Sequence, residues 1–227
     1  MPTIDWLKKE FSSGYDSGDI LTFFPGKRRR EEEKKIGGSY RKVFHKCLLP
    51  YLRPDSKVLE LGPGRGSWTR AILKYIPQGE LHAVDFQDVS KWLRPEQFNG
   101  RLSCHKVEDM SFSKFKNDHF DFFWSLGVLC HHNTEHISEI LKNSLPKMKG
   151  NAIAVHHYAN WDKLEKYGWD NGNLPTWLKK KADDEIWWPR NNKETMKEIA
   201  EEAGWIVEAA DMDMFKRDGI IRLRKPL

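Results

Sequence analysis

A glycine-rich segment is the part of this 227-residue sequence best suited to hold a small molecule. It reads Val58-Leu59-Glu60-Leu61-Gly62-Pro63-Gly64-Arg65-Gly66-Ser67. The apolar run before it predicts a buried strand, and the apolar spacing over residues 69–75 predicts a helix. Glycines between a strand and a helix let the backbone approach a ligand closely. The segment lacks the Lys-Ser/Thr pair of a P-loop, which excludes that kind of phosphate site.

Three features of this loop favour a ligand with a cationic amino group over one with a pyrophosphate. Ser67 occupies the place of the last glycine in the dinucleotide fingerprint G-x-G-x-x-G. Pro63 removes a backbone N–H that a pyrophosphate cradle would use. Glu60, just before the loop, adds a negative charge that would repel a phosphate and attract an ammonium group.

A second acidic residue, Asp85, ends the next predicted strand, 19 residues after Gly66. A carboxylate at this position can accept hydrogen bonds from both hydroxyls of a ribose. The alternative is that Asp85 only shapes the turn at the end of the strand. The loop upstream favours the ribose interpretation.

Two pairs of histidines are candidates for moving a proton. His131-His132 follows the fourth predicted strand, residues 120–125, and His156-His157 stands at the end of the fifth, residues 152–156. Both pairs lie where the carboxyl ends of parallel strands bind ligands, and histidine titrates near neutral pH. One of the four is therefore predicted to be a general base, although a helix cap or a place in the core would also explain each of them. Their spacing is not that of a metal site, and none is predicted.

Strand and helix signals alternate between residues 57 and 156, which predicts βαβ units and a parallel sheet. A helix over 192–203 follows, with Asn192 as N-cap and Gly204 just past its end. The last two predicted strands, 205–210 and 219–223, are joined by too few residues for a crossover helix, so they are predicted to be antiparallel.

Two segments stand outside this regular pattern. Residues 1–50 are predicted to form an N-terminal arm and helices that cover the ligand site, and residues 51–227 to form the main domain. Residues 158–190 are too long for a simple connection, and they are predicted to be a substrate-side insertion or lid. The insertion contains five tryptophans, at positions 161, 169, 177, 187 and 188. These either contact a substrate or pin an irregular segment to the body, and both roles stay open.

The glycine loop and the strand ending in Asp85 resemble the class I S-adenosylmethionine (SAM)-dependent methyltransferases. Residues 120–132 resemble the fourth motif of the small-molecule branch related to ubiquinone-biosynthesis methyltransferases. The resemblance covers about residues 55–155. It implies an α/β, Rossmann-like sheet of seven strands, mostly parallel, with helices on both faces and an antiparallel last strand. It also implies SAM as cofactor and S-adenosylhomocysteine as product.

The resemblance further implies a role for individual positions. Gly62 and Gly64 would admit the methionine moiety, and Glu60 would lie near its ammonium group. Asp85 would hold the ribose, and Phe86 would flank the adenine. Three more cofactor-binding residues are expected by the same likeness: Pro63, Gly66 and Ser125.

One position departs from the family pattern. Family members often carry an acidic residue at the end of the third strand to contact the adenine amino group, but Lys106 stands there in this chain. The contact is expected to pass to the Val107 backbone, Glu108 or Asp109.

The predicted acceptor is a small molecule or glycan, methylated at a hydroxyl oxygen. The fourth motif lacks the Asn/Asp-Pro-Pro-Tyr/Phe stretch that amino-methylating enzymes use, which disfavours an amide or adenine nitrogen. An RNA methyltransferase and a non-catalytic cofactor-binding scaffold are the alternatives. Net charge is only +5 and the densest charge run mixes signs, so nucleic acid is the less favoured partner. Three unpaired cysteines and no membrane-spanning run predict a cytoplasmic protein.

Overall fold

The centre of the molecule is a single seven-stranded sheet in the order β3-β2-β1-β4-β5-β7-β6. The computed structural model describes Trp6 and residues 9–227. The strands are β1 (Lys57–Leu61), β2 (Glu80–Asp85), β3 (Leu102–Lys106), β4 (Phe120–Ser125), β5 (Met148–Tyr158), β6 (Ile206–Ala209) and β7 (Gly219–Arg224). The first five strands pair in parallel, and β7 runs antiparallel to both β5 and β6. The predicted Rossmann-like sheet with a reversed last strand is confirmed.

Seven α-helices surround the sheet in the described part of the chain. They are α1 (Lys27–Ile36), α2 (Tyr40–Val43), α3 (Ser67–Tyr75), α4 (Ser90–Leu93), α5 (Thr134–Ser144), α6 (Trp161–Tyr167) and α7 (Lys193–Glu202). The start of α7 follows the prediction, because the Asn192 side chain accepts a hydrogen bond from the Thr195 N–H. A π-helical turn over Phe44–Leu48 continues α2.

Alternating side chains of the strands build a core on each face of the sheet. On β1, Leu59 packs with α5 and α7, whereas Val58 packs on the opposite face with α3 and the segment around α2. Fully buried aromatic residues of β4 divide in the same way, with Phe123 on the first face and Trp124 on the second. Helices therefore cover both faces, as predicted.

The N-terminal arm and the insertion are anchored differently. Ile20 and Ile36, in the arm and α1, join the core of the second sheet face. The insertion has a small core of its own, which contains Leu164, Trp169 and Leu178 and reaches Cys130 after β4. No helix in the described part of the chain is long and apolar enough to cross a membrane.

Candidate functional site

A cavity of about 700 Å³ opens at the carboxyl ends of β1, β2 and β4. Its wall is made by the glycine loop, the N-terminal arm, the loop after β4, part of the insertion and the connection before β7. This volume is typical of a site for a small molecule. The location matches the rule that α/β sheets bind ligands at the carboxyl ends of their strands.

The glycine loop forms the floor of the cavity through Gly62, Pro63 and Gly64. Gly62 and Gly64 have left-handed backbone conformations, with φ of +69° and +54°. A Cβ atom on Gly64 would lie 2.3 Å from the carbonyl oxygen of Tyr15. Glycine is therefore required there both by the backbone angle and by the close approach of the arm. Gly66 does not line the cavity; it precedes α3 with φ of +81°.

The N-terminal arm is hydrogen-bonded directly to this loop. The Arg65 N–H donates to the Tyr15 carbonyl at 2.7 Å. Asp16 Oδ1 accepts from the Ser67 hydroxyl and from the Gly18 N–H, both at 2.9 Å. The hydroxyl of Tyr15 donates to Glu32 on α1. The arm is thus bonded to the glycine loop and lines the cavity beside it, and its role as a cover stays a prediction.

Glu60 is completely enclosed behind the loop and is not part of the cavity wall. Its Oε2 accepts a hydrogen bond from the Thr69 hydroxyl at 2.6 Å. Burial raises the pKa of the Glu60 carboxyl to about 7, although the Thr69 bond and the Arg70 charge act against the rise. Glu60 can therefore act on a ligand in the cavity only through its charge, across the loop that separates them.

Asp85 and Phe86 line the cavity side by side at the end of β2. Asp85 Oδ1 accepts the Gln87 N–H at 3.0 Å, and burial raises the pKa of this carboxyl. A partly desolvated carboxylate has more acceptor positions than this bond uses. The site thus has a place for two neighbouring hydroxyl donors, as a ribose would supply.

The residues expected to contact the adenine amino group lie elsewhere. The Val107 N–H donates to the Asp85 carbonyl at 3.0 Å, and Glu108 and Asp109 are exposed. Met110 lines the cavity in their place. Ser125 is buried outside the wall, with its hydroxyl 2.8 Å from Nδ1 of His156.

Three of the four candidate histidines line the cavity: His131, His132 and His157. The ring of His131 is held by a single hydrogen bond at Nδ1. Its Nδ1 lies 2.8 Å from the Trp187 carbonyl oxygen, which can only accept. Nδ1 therefore carries the proton, and Nε2 of the neutral ring keeps its lone pair. Burial lowers the pKa of His131 to about 4, so the ring is neutral at physiological pH. Phe11 and Trp188 pack against the ring, with centroid distances of 5.1 and 5.3 Å.

His132 and His156 are more deeply buried than His131. Burial lowers the pKa of each to about 3. Nδ1 of His132 and Nε2 of His156 have no hydrogen-bond partner among the described residues. His156 does not line the cavity, because its neighbour in the strand, His157, faces that side.

His157 belongs to a buried charge network rather than standing free. The Gly127 N–H donates to its Nδ1 at 3.1 Å, so Nε2 carries the proton and donates to Asp218 Oδ2 at 3.0 Å. Arg217 Nε donates to the same oxygen at 2.7 Å. Complete burial acts to raise the pKa of Asp218, but Arg217 and His157 lower it by more. Because both ring nitrogens of His157 are used, it has no lone pair available for a substrate.

Several residues of the cavity wall were missed from the sequence: Tyr15, Tyr40, Trp68, Met110 and Arg217. Arg217 lies in the connection before β7, with its guanidinium 4.8 Å from the ring centre of Trp188. Only the prediction that the first 50 residues cover the site pointed to Tyr15 and Tyr40. Trp187 and Trp188 line the cavity, whereas Trp169 lies in the insertion core and Trp177 is exposed. Trp188 belongs to both the cavity wall and the insertion core, so both roles considered for the tryptophans stay predictions.

A family model described as "Methyltransferase domain" matches residues 30–210, well over half of the chain. No curated protein sequence matches the chain. The fold is similar to that of a SAM-dependent methyltransferase from Aquifex aeolicus, with TM-score 0.62 and 16% identity over 90% of this chain and 100% of that one.

Two further solved structures share the fold. A possible exported protein from Bordetella parapertussis has TM-score 0.66 and 14% identity, over 98% of this chain and 79% of that one. A geranyl diphosphate methyltransferase in complex with GPP and sinefungin has TM-score 0.60 and 9% identity, over 82% and 79%. The matches do not single out the ubiquinone-biosynthesis branch, which stays a prediction.

Proposed function

Because the chain belongs to the class I SAM-dependent methyltransferase family, we propose that it methylates a hydroxyl oxygen of a small-molecule or glycan acceptor. SAM is the cofactor of the family, and when bound it supplies an electrophilic methyl group on a sulfonium. In-line transfer of that group depends mainly on positioning and on the exclusion of water. The arm and the insertion, which wall the cavity from two sides, provide both.

In this proposal the cofactor occupies the part of the cavity next to the glycine loop. Asp85 accepts hydrogen bonds from the ribose hydroxyls, and Phe86 and Met110 contact the adenine. Gly62 and Gly64 admit the methionine moiety, and the Glu60 charge attracts its ammonium group from behind the loop. Val107, Glu108 and Asp109 are left out of the proposal, because none of the three lines the cavity.

The observation that carries the choice of oxygen is the fixed ring of His131. The Trp187 carbonyl holds Nδ1–H, so Nε2 can accept the proton that an acceptor hydroxyl loses as it is methylated. A nitrogen or sulfur nucleophile has less need of such a base. Trp187 and Trp188 form the neighbouring wall, and their flat faces suit a sugar or another ring.

The test is a turnover assay with methyl-labelled SAM and a panel of hydroxylated acceptors, sugars first. His131→Asn is expected to lower kcat by about tenfold or more, less than the full contribution of a general base because burial keeps the pKa of His131 well below neutral pH. S-adenosylhomocysteine affinity, measured by calorimetry, should stay within about twofold. His136→Asn is the matched control, because this histidine lies on α5 with its ring bonded to Asn133.

Other outcomes would replace the proposal. Undiminished turnover in His131→Asn would contradict the role of His131 as a general base, and catalysis would then rest on positioning alone. Methylation of RNA, with an affinity that falls steeply as salt rises, would make the chain an RNA methyltransferase. Absence of S-adenosylhomocysteine binding would favour the non-catalytic scaffold.

A further inference from the structure

Three side chains of metal-ligating type converge at the amino-terminal edge of the sheet, at the opposite end of the strands from the cavity. Glu80 and His82 lie on β2, and His119 directly precedes β4. One ligand atom from each lies within 4.8 Å of the other two. His119 Nε2 is 3.0 Å from Glu80 Oε1, and His82 Nε2 is 3.7 Å from the same oxygen.

These separations are close to those of a tetrahedral zinc site. Zinc binds nitrogen and carboxylate oxygen at about 2.0–2.2 Å, which places neighbouring ligands about 3.3–3.5 Å apart. The two measured distances lie on either side of that range. Shifts of a few tenths of an ångström would bring Glu80 into ligand spacing with each histidine, and the ligand atoms of all three residues lie within 4.8 Å of one another. Two imidazoles and one carboxylate are also a donor set that suits zinc.

A fourth residue orients His82 in the manner of a metal-binding histidine. Nδ1 of His82 lies 3.0 Å from Nε2 of His105 on β3, and the two rings are stacked with an interplanar angle of 6°. When His82 donates its Nδ1 proton to His105, the lone pair of Nε2 faces Glu80. Phe115 and Phe120 pack edge-on against the His82 ring and hold its rotamer.

The charge on Glu80 has another partner in this structure. Lys57 Nζ, from β1, lies 3.2 Å from Glu80 Oε1, the oxygen that both histidines approach. The ammonium group therefore lies beside the carboxylate where a metal ion would bind. A metal ion must displace Lys57 from this oxygen, which limits the affinity of the site without removing any ligand.

We propose that Glu80, His82 and His119 bind one Zn²⁺ ion, with water as the fourth ligand. The ion would join the start of β2 to the start of β4, two strands that are separated by β1. Its ligands lie outside the cavity wall, so the role is to stabilise the fold rather than to take part in methyl transfer. The proposal is independent of the acceptor and of His131.

The test is calorimetric titration of zinc sulfate into metal-stripped protein at pH 7.5. One ion per chain is expected to bind, with a dissociation constant in the micromolar range or lower. His82→Gln and His119→Gln should each weaken binding at least 100-fold. His45→Gln, in the π-helical turn far along the chain from this cluster, should bind zinc as the wild type does. The proposal is overturned if the wild type binds no zinc, or if either ligand variant binds it as tightly.

Two further variants separate ligand loss from misfolding. Lys57→Met removes the competing ammonium group and is expected to tighten zinc binding about tenfold, a gain that a damaged fold would not produce. His105→Phe keeps a ring beside His82 but loses the hydrogen-bond acceptor, and should weaken binding about 10- to 100-fold. Thermal unfolding without zinc checks each fold, and added zinc should raise the melting temperature of the wild type but not that of His119→Gln.

Discussion

Asp85 is the residue that the proposal assigns to the ribose, and its side chain lines the cavity at the end of β2. Hydrogen bonds to a charged group contribute about 1.5–3 kcal/mol each. Asp85→Asn is therefore expected to weaken S-adenosylhomocysteine binding at least tenfold in a calorimetric titration. The control is Asp88→Asn, three residues further along the chain, where the side chain is exposed and bonded to Ser90. Equal affinities for the two variants would contradict the ribose assignment.

Glu60 makes the stability of the protein depend on pH in the neutral range. Its carboxyl has a pKa of about 7 in the folded state and 4.5 in the unfolded state. The unfolded chain therefore loses this proton first as pH rises, and the folded state loses stability between about pH 4.5 and 7. The loss amounts to about 1–3 kcal/mol above pH 7.

Glu60→Gln should remove this dependence, since the amide keeps the Thr69 hydrogen bond without a charge. Denaturant unfolding at pH 5 and pH 8 is the measurement. From pH 5 to pH 8, the free energy of unfolding of the variant is expected to rise relative to that of the wild type by about 1–3 kcal/mol. Glu108→Gln, at an exposed carboxyl, should show no such gain. A constant difference between wild type and Glu60→Gln would mean that Glu60 ionises normally.

At the scale of elements, the arm and the glycine loop depend on each other at Gly64. Gly64→Ala would drive a methyl group into the Tyr15 carbonyl and separate the arm from the loop. We expect cofactor affinity to fall more than tenfold and hydrogen exchange over residues 11–22 to rise. Gly100→Ala is the matched control, because Gly100 has φ of +79° but open space around its Cβ position. Equal cofactor affinity in Gly64→Ala and Gly100→Ala would contradict a role of the arm in cofactor binding.

The elements themselves were largely predictable, since central parallel strands are continuous apolar runs. The bounds of β4 were predicted to the residue. The strand β5 begins at Met148, four residues before the predicted start, because Gly150 and Asn151 have the composition of a turn and Asn151 has φ of +63°. The last helix and its cap followed local rules that operate within a few residues.

The site was predictable only where it is local in sequence. The positions of the glycine loop and of Asp85 follow from the ends of β1 and β2, which can be predicted from the sequence around them. The roles of the histidines depend on Trp187 and Asp218, which lie 56 and 61 residues away from their partners. Nothing in the sequence marks Arg217 as a site residue, because it lies in a short polar connection. It reaches the cavity only in the folded chain. Such long-range contacts follow from packing and not from spacing.

For the whole molecule, Asp218 joins three separate parts of the chain. It accepts from His157 on β5 and from Arg217, whose guanidinium also donates to the Gly172 carbonyl in the insertion. Asp218→Asn would leave the Arg217 charge without its partner, and the free energy of unfolding is expected to fall by about 3 kcal/mol.

Denaturant unfolding measures this loss, with Asp213→Asn as control because that side chain is 87% exposed. The pKa of Asp218 is lowered in the folded state, so its stabilising effect is present above about pH 4 and is lost as pH falls further. The difference between wild type and Asp218→Asn should therefore be constant from pH 5 to 8. Equal stability of the two proteins would mean that the ion pair only offsets its own desolvation.

The cavity wall joins residues from Trp6 to Arg217, and this has a consequence for how the protein is made. A ribosome adds about 5–20 residues per second, so roughly 10–40 seconds separate the two ends of the wall. While residues 67–216 are being added, the nascent chain has a glycine loop and an arm but lacks the Arg217 guanidinium that completes the opposite side of the wall. If the cofactor binds as proposed, its capture is a late event of biogenesis, and a ribosome stalled before the Arg217 codon carries a chain without a closed site.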